Sequence, residues 1–229
     1  MAWAGKYKNL SEIKNYDSYP VENHKFVNYE KSLVPRDDWD NNLLKILKNL
    51  NENIKLVDFG CTLSCRVYYM LMQNIGSKLE KYYGIDLPDM LKNCSADKHK
   101  NVILTDDMCT IKENISVFYS RSSIQYLQEP YKALHHVLSL SPKYFIIDDT
   151  PYTNEEEFIT LQVTTPWMRS PDHPLPTHLY DSKWQFFVFN KEKLLSFFKK
   201  NGYKLTYSEY YKVDELNYNN LVFSKVEDI

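Results

Sequence analysis

The sequence predicts an α/β domain: a mainly parallel sheet with helices on both faces. Three observations predict it. Between residues 40 and 150, short apolar runs with strand character alternate with segments of helical period. The run Leu56-Val57-Asp58-Phe59-Gly60 leaves its strand through a small-residue turn, Cys61-Thr62-Leu63-Ser64. The run Tyr83-Gly84-Ile85-Asp86-Leu87 ends on an acid. Open parallel sheets form nucleotide-sized crevices outside the carboxyl ends of their strands, and these two exits are suited to line one.

The elements follow in order. Residues 1–40 are polar and aromatic, with Pro20 and Pro35, and read as a lead-in packed across the sheet edge, with Tyr29 and Arg36 as candidate ligand contacts. Asp40-Asn41-Asn42 offers N-cap residues to a helix reaching Leu50, with Leu43, Leu44, Ile46 and Leu47 at helical spacing. A first strand at Ile54–Phe59 precedes a helix over 65–75 that Gly76 stops. Further strands are expected at 81–85, 101–104, 115–120 and 144–147. Pro130 suits the first turn of a helix reaching Leu140.

The alternation then breaks. Residues 150–185 hold Pro151, Pro166, Pro171, Pro174 and Pro176 with Trp167 and Trp184, and read as a lid or substrate insertion. Regular structure is expected again at Asn190, an N-cap, with a helix to Lys200 and Gly202 at its C-cap. Runs at 203–211 and 219–226, joined by 214–218, read as an antiparallel C-terminal hairpin. The expectation is one domain over 1–229: a Rossmann-like, mainly parallel seven-stranded sheet with that hairpin at its end.

Composition narrows the function classes. Hydrophobic residues make up 43% of the chain, enough for a substantial core. The 28 basic and 30 acidic residues balance, without a basic run, so no nucleic-acid partner is expected. The opening residues lack the apolar core of a signal peptide, and no apolar stretch is long enough to span a membrane. A cytoplasmic location follows as the expectation. Cys61, Cys65, Cys94 and Cys109 show no finger-like ligand spacing, so no metal is expected and reduced thiols are the default.

The candidate ligand residues lie at strand exits. With one glycine, Gly60, the turn lacks the G-x-G-x-x-G fingerprint that lets a backbone approach a pyrophosphate. A phosphate-free nucleoside such as S-adenosylmethionine needs only hydrogen-bond partners there. A plain strand-to-helix turn is the competing reading. Asp86 is placed to accept from two ribose hydroxyls, or else is a solvated strand cap. One of Asp106 and Asp107 is placed to accept from an adenine amine, the other to be solvent-exposed or an N-cap. Ser120, Ser122 and Gln125 follow the fourth strand as cofactor floor or as a serine-capped turn.

These pieces together resemble class I S-adenosylmethionine-dependent methyltransferases. The matching residues are Asp58-Phe59-Gly60, Tyr68-Tyr69, Gly84-Ile85-Asp86, Ser122-Ser123-Ile124-Gln125-Tyr126-Leu127 and Asp149-Thr150-Pro151-Tyr152. More narrowly, with Trp3-Ala4-Gly5-Lys6-Tyr7, the chain is similar to a methyltransferase family encoded among bacterial capsule and lipopolysaccharide genes. It departs where many methyltransferases carry two or three glycines and this chain has Gly60-Cys61-Thr62-Leu63-Ser64.

The resemblance implies S-adenosylmethionine as cofactor, held by Arg36, Asp58, Gly60, Cys61, Ser64, Asp86, Leu87, Asp106, Asp107, Met108, Ser120 and Ser122. It implies a small-molecule acceptor, free or nucleotide-activated: a sugar hydroxyl or amine, or a phosphate or phosphoramidate group. A monomer or homodimer would suffice. Methyl transfer to oxygen or nitrogen needs alignment and a group to take the proton. His173, His178 and Asp149 are the leading candidates, with Asp148 and Asp181 beside them, while His135 and His136 read as structural. Two other readings stand: a non-catalytic nucleoside-binding protein, and an NAD-dependent sugar-modifying enzyme.

Overall fold

The computed structural model describes residues 2–13, 37–61, 65–91, 94–163, 183–213 and 215–226. Strands β2 (Ile54–Phe59), β3 (Leu79–Ile85), β4 (Val102–Thr105), β5 (Val117–Arg121) and β6 (Tyr144–Thr153) lie in the order β4-β3-β2-β5-β6, each pair parallel. The chain builds outward from β2 through β3 to β4, then returns to β5 on the other side of β2. That reversal puts a topological switch point between β2 and β5, where crevices open above the strand ends.

The C-terminal hairpin closes this sheet. Strand β10 (Leu216–Lys225) runs antiparallel to β6, and β9 (Tyr203–Val213) pairs antiparallel with β10. The seven strands expected from the sequence therefore form one mainly parallel sheet with a terminal hairpin.

Period-two alternation sorts the side chains into two layers. One face carries Leu56, Tyr82, Val117, Tyr119 and Ile146 against Leu43 and Leu47 of α1 (Asp37–Asn49) and Tyr68 and Leu71 of α2 (Arg66–Asn74). The other carries Val57, Phe118, Phe145, Ile147 and Phe223. It meets Leu134 and Val137 of α4 (Pro130–Ser139) and Leu194 and Phe198 of α5 (Lys191–Lys200). A four-residue helix, α3 (Pro88–Leu91), lies between β3 and β4. Phe198 stacks on Phe223 at 4.0 Å between ring centroids, fixing α5 against the hairpin.

Local signals explain several boundaries. Asn190 accepts a hydrogen bond from the Lys193 N–H at 2.7 Å, an N-cap that starts α5. Gly202, at φ +81°, ends it. Helix α1 begins at Asp37 rather than after Asp40-Asn41-Asn42, which fall inside its first turns. Among the described residues no helix is long and apolar enough to cross a membrane.

The structure adds three strands in segments the sequence marks as irregular. Strand β1 (Ala2–Tyr7) lies in the lead-in, β7 (Phe158–Val163) in the Pro-rich stretch, and β8 (Lys183–Asn190) begins before the expected restart. They form an antiparallel sheet in the order β1-β7-β8. It joins β6 where Tyr152 and Thr153 pair in parallel with Phe189 and Asn190. Pro151 does not end β6. The β5 ladder has stopped at Asp148 and the β8 ladder starts at Tyr152, so the missing N–H falls on an edge served only by β10.

Near the amino ends of the strands, the Glu113 carboxylate accepts from Lys55 Nζ, Lys81 Nζ and Tyr83 OH, tying β2 and β3 to the segment before β5. The hydrogen bond from Lys55, then those from Lys81 and Tyr83, lower its pKa from 4.5 to about 2. The folded value lies below the unfolded one, so this contribution is complete above pH 4.5 and is lost as pH falls towards 2. Glu113→Gln should lower the melting temperature at pH 7 and weaken its dependence on pH between 4.5 and 2, read by thermal melts across that range.

Candidate functional site

The crevice is organised by the exit turn of β2. Gly60 sits at φ +78°, and a Cβ built there lies 1.9 Å from Ser123 Oγ and 2.4 Å from Ser123 Cβ. Glycine is required twice, by backbone sign and by the serine packed against it. The Gly60 and Cys61 N–H groups donate to the Ile85 carbonyl at 2.8 and 3.2 Å. The turn therefore folds over the end of β3, and the residue after Ile85 is Asp86.

Asp86 is half-buried, and its Oδ1 accepts from the Leu87 N–H at 2.8 Å. Leu87 beside it is 46% exposed. One strand further out, Asp107 Oδ1 accepts from the Cys109 N–H at 2.8 Å and caps a single 3₁₀ turn over 108–110. Asp106 is exposed at the end of β4. Of the pair, Asp107 is the cap of that turn. Met108 packs against the apolar core, and its carbonyl lies 3.3 Å from His136 Nε2.

Other candidates lie under the crevice. Asp58 is buried and accepts from Tyr82 OH, whose own pKa is raised well above normal by burial and then by Asp58. Cys61 is buried in the core, where burial, Asp58 and Asp86 push its thiol pKa up. Their side chains brace the turn from below. Ser120 is fully buried between Phe59 of β2 and Ile147 of β6, so its hydroxyl is core rather than crevice floor.

On the β5–β6 side, Ser122 (φ +48°) and Asp149 (φ +55°) face one another, both in the left-handed region. The Ser122 hydroxyl donates to Asp149 Oδ2 and Tyr211 OH donates to Asp149 Oδ1. The Asp149 N–H donates to Asn220 Oδ1 at 2.8 Å, and Gln125 Nε2 donates to the Asp149 carbonyl at 3.3 Å. Asp148 is buried beside it. Above this group Tyr126 OH donates to Gln162 Oε1 at 2.7 Å, and Gln185 Nε2 donates to the Tyr126 carbonyl at 2.7 Å. The second sheet is thereby tied to the β5 exit loop.

The sequence reading singled out the turn and the acids but not Tyr82, Tyr211 and Asn220. No local pattern marks them, because strand register alone brings them in. Arg36, Ser64, His173, His178 and Asp181 lie outside the described residues. His135 packs edge-on to Phe197 at 4.8 Å, a structural role as expected.

The cysteines correct one expectation. Cys65 and Cys94 are joined as a disulfide, although reduced thiols were the default. Neighbouring parallel strands β2 and β3 bring the segments that follow them side by side, which sequence spacing does not reveal. Cys61 and Cys109 are free thiols.

No protein-family model matches the sequence, and no curated protein matches it. Solved structures do match in fold. A Burkholderia thailandensis 1,6-didemethyltoxoflavin N1-methyltransferase, solved with that substrate and S-adenosylhomocysteine, aligns at TM-score 0.54 and 12% identity over 83% of this chain and 79% of its own. A Clostridium acetobutylicum S-adenosylmethionine-dependent methyltransferase aligns at TM-score 0.52 and 15% identity over 87% and 96%. A Synechocystis magnesium protoporphyrin IX methyltransferase with bound S-adenosylmethionine aligns at TM-score 0.53 and 10% identity over 90% and 88%. The chain thus has the Rossmann-like fold of class I methyltransferases.

The packing of Gly60 on Ser123 has a testable consequence. Gly60→Ala should destabilise the protein by more than the ~1–2 kcal/mol that a left-handed alanine costs by itself. Ser123→Gly in the same chain should recover the excess, leaving the backbone cost. Urea denaturation of the single and double variants measures both; an equal loss in the two would mean that the serine contact is unimportant.

Proposed function

We propose that the protein is a methyltransferase that uses S-adenosylmethionine to methylate a small-molecule acceptor. The observation that carries this reading is the Gly60 turn, beside the switch point of the sheet, hydrogen-bonded to the Ile85 carbonyl, with Asp86 emerging at the end of β3. The donor and acceptor set fits the cofactor. Asp86 offers a carboxylate to the ribose hydroxyls, Asp106 one to the adenine amine, and the turn supplies a close backbone without a phosphate cradle. Gly60, Leu87, Met108 and Ser122 complete the lining, with Arg36 and Ser64 assigned to it from sequence. The single glycine counts against a dinucleotide and so against the NAD-dependent alternative.

When bound, the cofactor supplies an electrophilic methyl on a sulfonium. The protein's part is to align and to manage a proton. With an acceptor oxygen or nitrogen aligned on that methyl, Asp149 would take the acceptor's proton. His173 and His178 remain candidates for this role. The second sheet, tied to the β5 exit loop through Tyr126, borders the acceptor side.

The acceptor we favour is an intermediate of capsule or lipopolysaccharide synthesis, methylated on a sugar hydroxyl or on a phosphate or phosphoramidate group. The motif resemblance alone supports this finer reading. Two solved neighbours are methyltransferases of 1,6-didemethyltoxoflavin and of magnesium protoporphyrin IX, and one fold hosts many acceptors. A cytoplasmic monomer or homodimer accords with it.

Calorimetric titration with S-adenosylhomocysteine tests the cofactor assignment. The wild type should bind with micromolar affinity, and Asp86→Ala should weaken binding at least about tenfold, the scale of hydrogen bonds to a charged group. Unchanged affinity in that variant would remove Asp86 from the ribose. Fluorescence titration with NADH should show no binding; saturable binding would favour the alternative.

A further inference from the structure

Two non-glycine residues in the left-handed region, Ser122 and Asp149, face each other at the ends of adjacent strands. Such conformations are costly and persist where the surroundings over-determine them, commonly at functional sites. Here the surroundings are explicit. The Asp149 backbone is held by Asn220 through its N–H and by Gln125 through its carbonyl. One carboxylate oxygen takes the Ser122 hydroxyl and the other takes Tyr211 OH. Tyr211 comes from β9 and is steadied by Tyr218, whose ring is stacked 5.7 Å away at 17°. Burial, then the bond to Asp149, raise the Tyr211 pKa, so its phenol stays a donor.

The direction of this clasp matters. Ser123, the neighbour of Ser122, is the residue packed on Gly60, so the Asp149 carboxylate lies one side-chain contact beyond the cofactor turn. Each carboxylate oxygen has a second lone pair free for a ligand after accepting one internal hydrogen bond. We infer that Tyr211 and Ser122 are positioning residues that hold the Asp149 carboxylate towards the transferred methyl group, selecting acceptors that donate a hydroxyl or amine hydrogen to it. This rests on the methyltransferase reading and extends it: the C-terminal hairpin becomes part of the acceptor site.

The test needs no knowledge of the acceptor. Sinefungin is an analogue of S-adenosylhomocysteine in which an amine-bearing carbon replaces sulfur, placing a cation where the methyl would lie. Its affinity relative to S-adenosylhomocysteine, measured by calorimetry on the same protein, reports a carboxylate aimed at that position. A merely structural role would move both ligands together. In Asp149→Asn, sinefungin should lose about tenfold while S-adenosylhomocysteine stays within about twofold, as expected for removal of one charge-assisted hydrogen bond. In Tyr211→Phe and in Ser122→Gly the ratio should fall at least about threefold, a partial loss of the same interaction. Ser122→Gly relieves backbone strain, so it reads the clasp even if Tyr211→Phe folds poorly. An unchanged ratio in Asp149→Asn, or a fall there with none in Tyr211→Phe and Ser122→Gly, overturns the inference. Wild-type protein that binds neither ligand overturns the methyltransferase reading as well.

Discussion

The left-handed turn at Gly60 is the constraint on which the crevice depends. Only at φ +78° does the chain leaving β2 bend so that two successive N–H groups reach the Ile85 carbonyl. That bond sets the floor between β2 and β3 and puts Asp86 at its rim. The same turn leaves no room for a side chain against Ser123, so β5 is drawn close on the other side. Asp58 and Tyr82 brace the arrangement from within the core. One residue thus couples the nucleoside side of the sheet to the side where Asp149 stands.

A second constraint lies in β6. Its first half belongs to the parallel sheet through β5, and its last residues belong to the second sheet through β8. Between them the β10 register shifts, with Asp149 left-handed and Pro151 paired with β10 alone. The bend lets one strand serve two sheets and turns a carboxylate out of the ladder. The Gln125, Ser122, Asn220 and Tyr211 bonds stabilise that conformation against its backbone cost. A polar cluster of this kind is specific because its members come from three separate parts of the chain, the β5 exit loop, β9 and β10.

Much of the fold is legible in the sequence. Short apolar runs mark β2, β3 and β5, Pro130 and Asn190 open helices where expected, and Gly202 closes one. The strand exits at Gly60 and Asp86 are legible because turns and acids stand out against buried apolar runs. What escaped reading depends on long-range pairing. Strands β1, β7 and β8 carry no strong local signal, and Pro151 and the prolines beyond Val163 argue against strands until the edge geometry is known. Tyr211 and Asn220 become site residues only through the β6–β10 and β9–β10 registers. The Cys65–Cys94 bridge likewise reflects neighbouring strands rather than spacing.

The central claim is that a nucleoside cofactor sits between the Gly60 turn and Asp86. A crystal structure of the protein with S-adenosylhomocysteine tests it most directly. The account predicts the ribose hydroxyls within hydrogen-bond distance of the Asp86 carboxylate, with the sulfur directed towards Asp149. A ligand seated elsewhere on the sheet, or with its ribose turned away from Asp86, would contradict it.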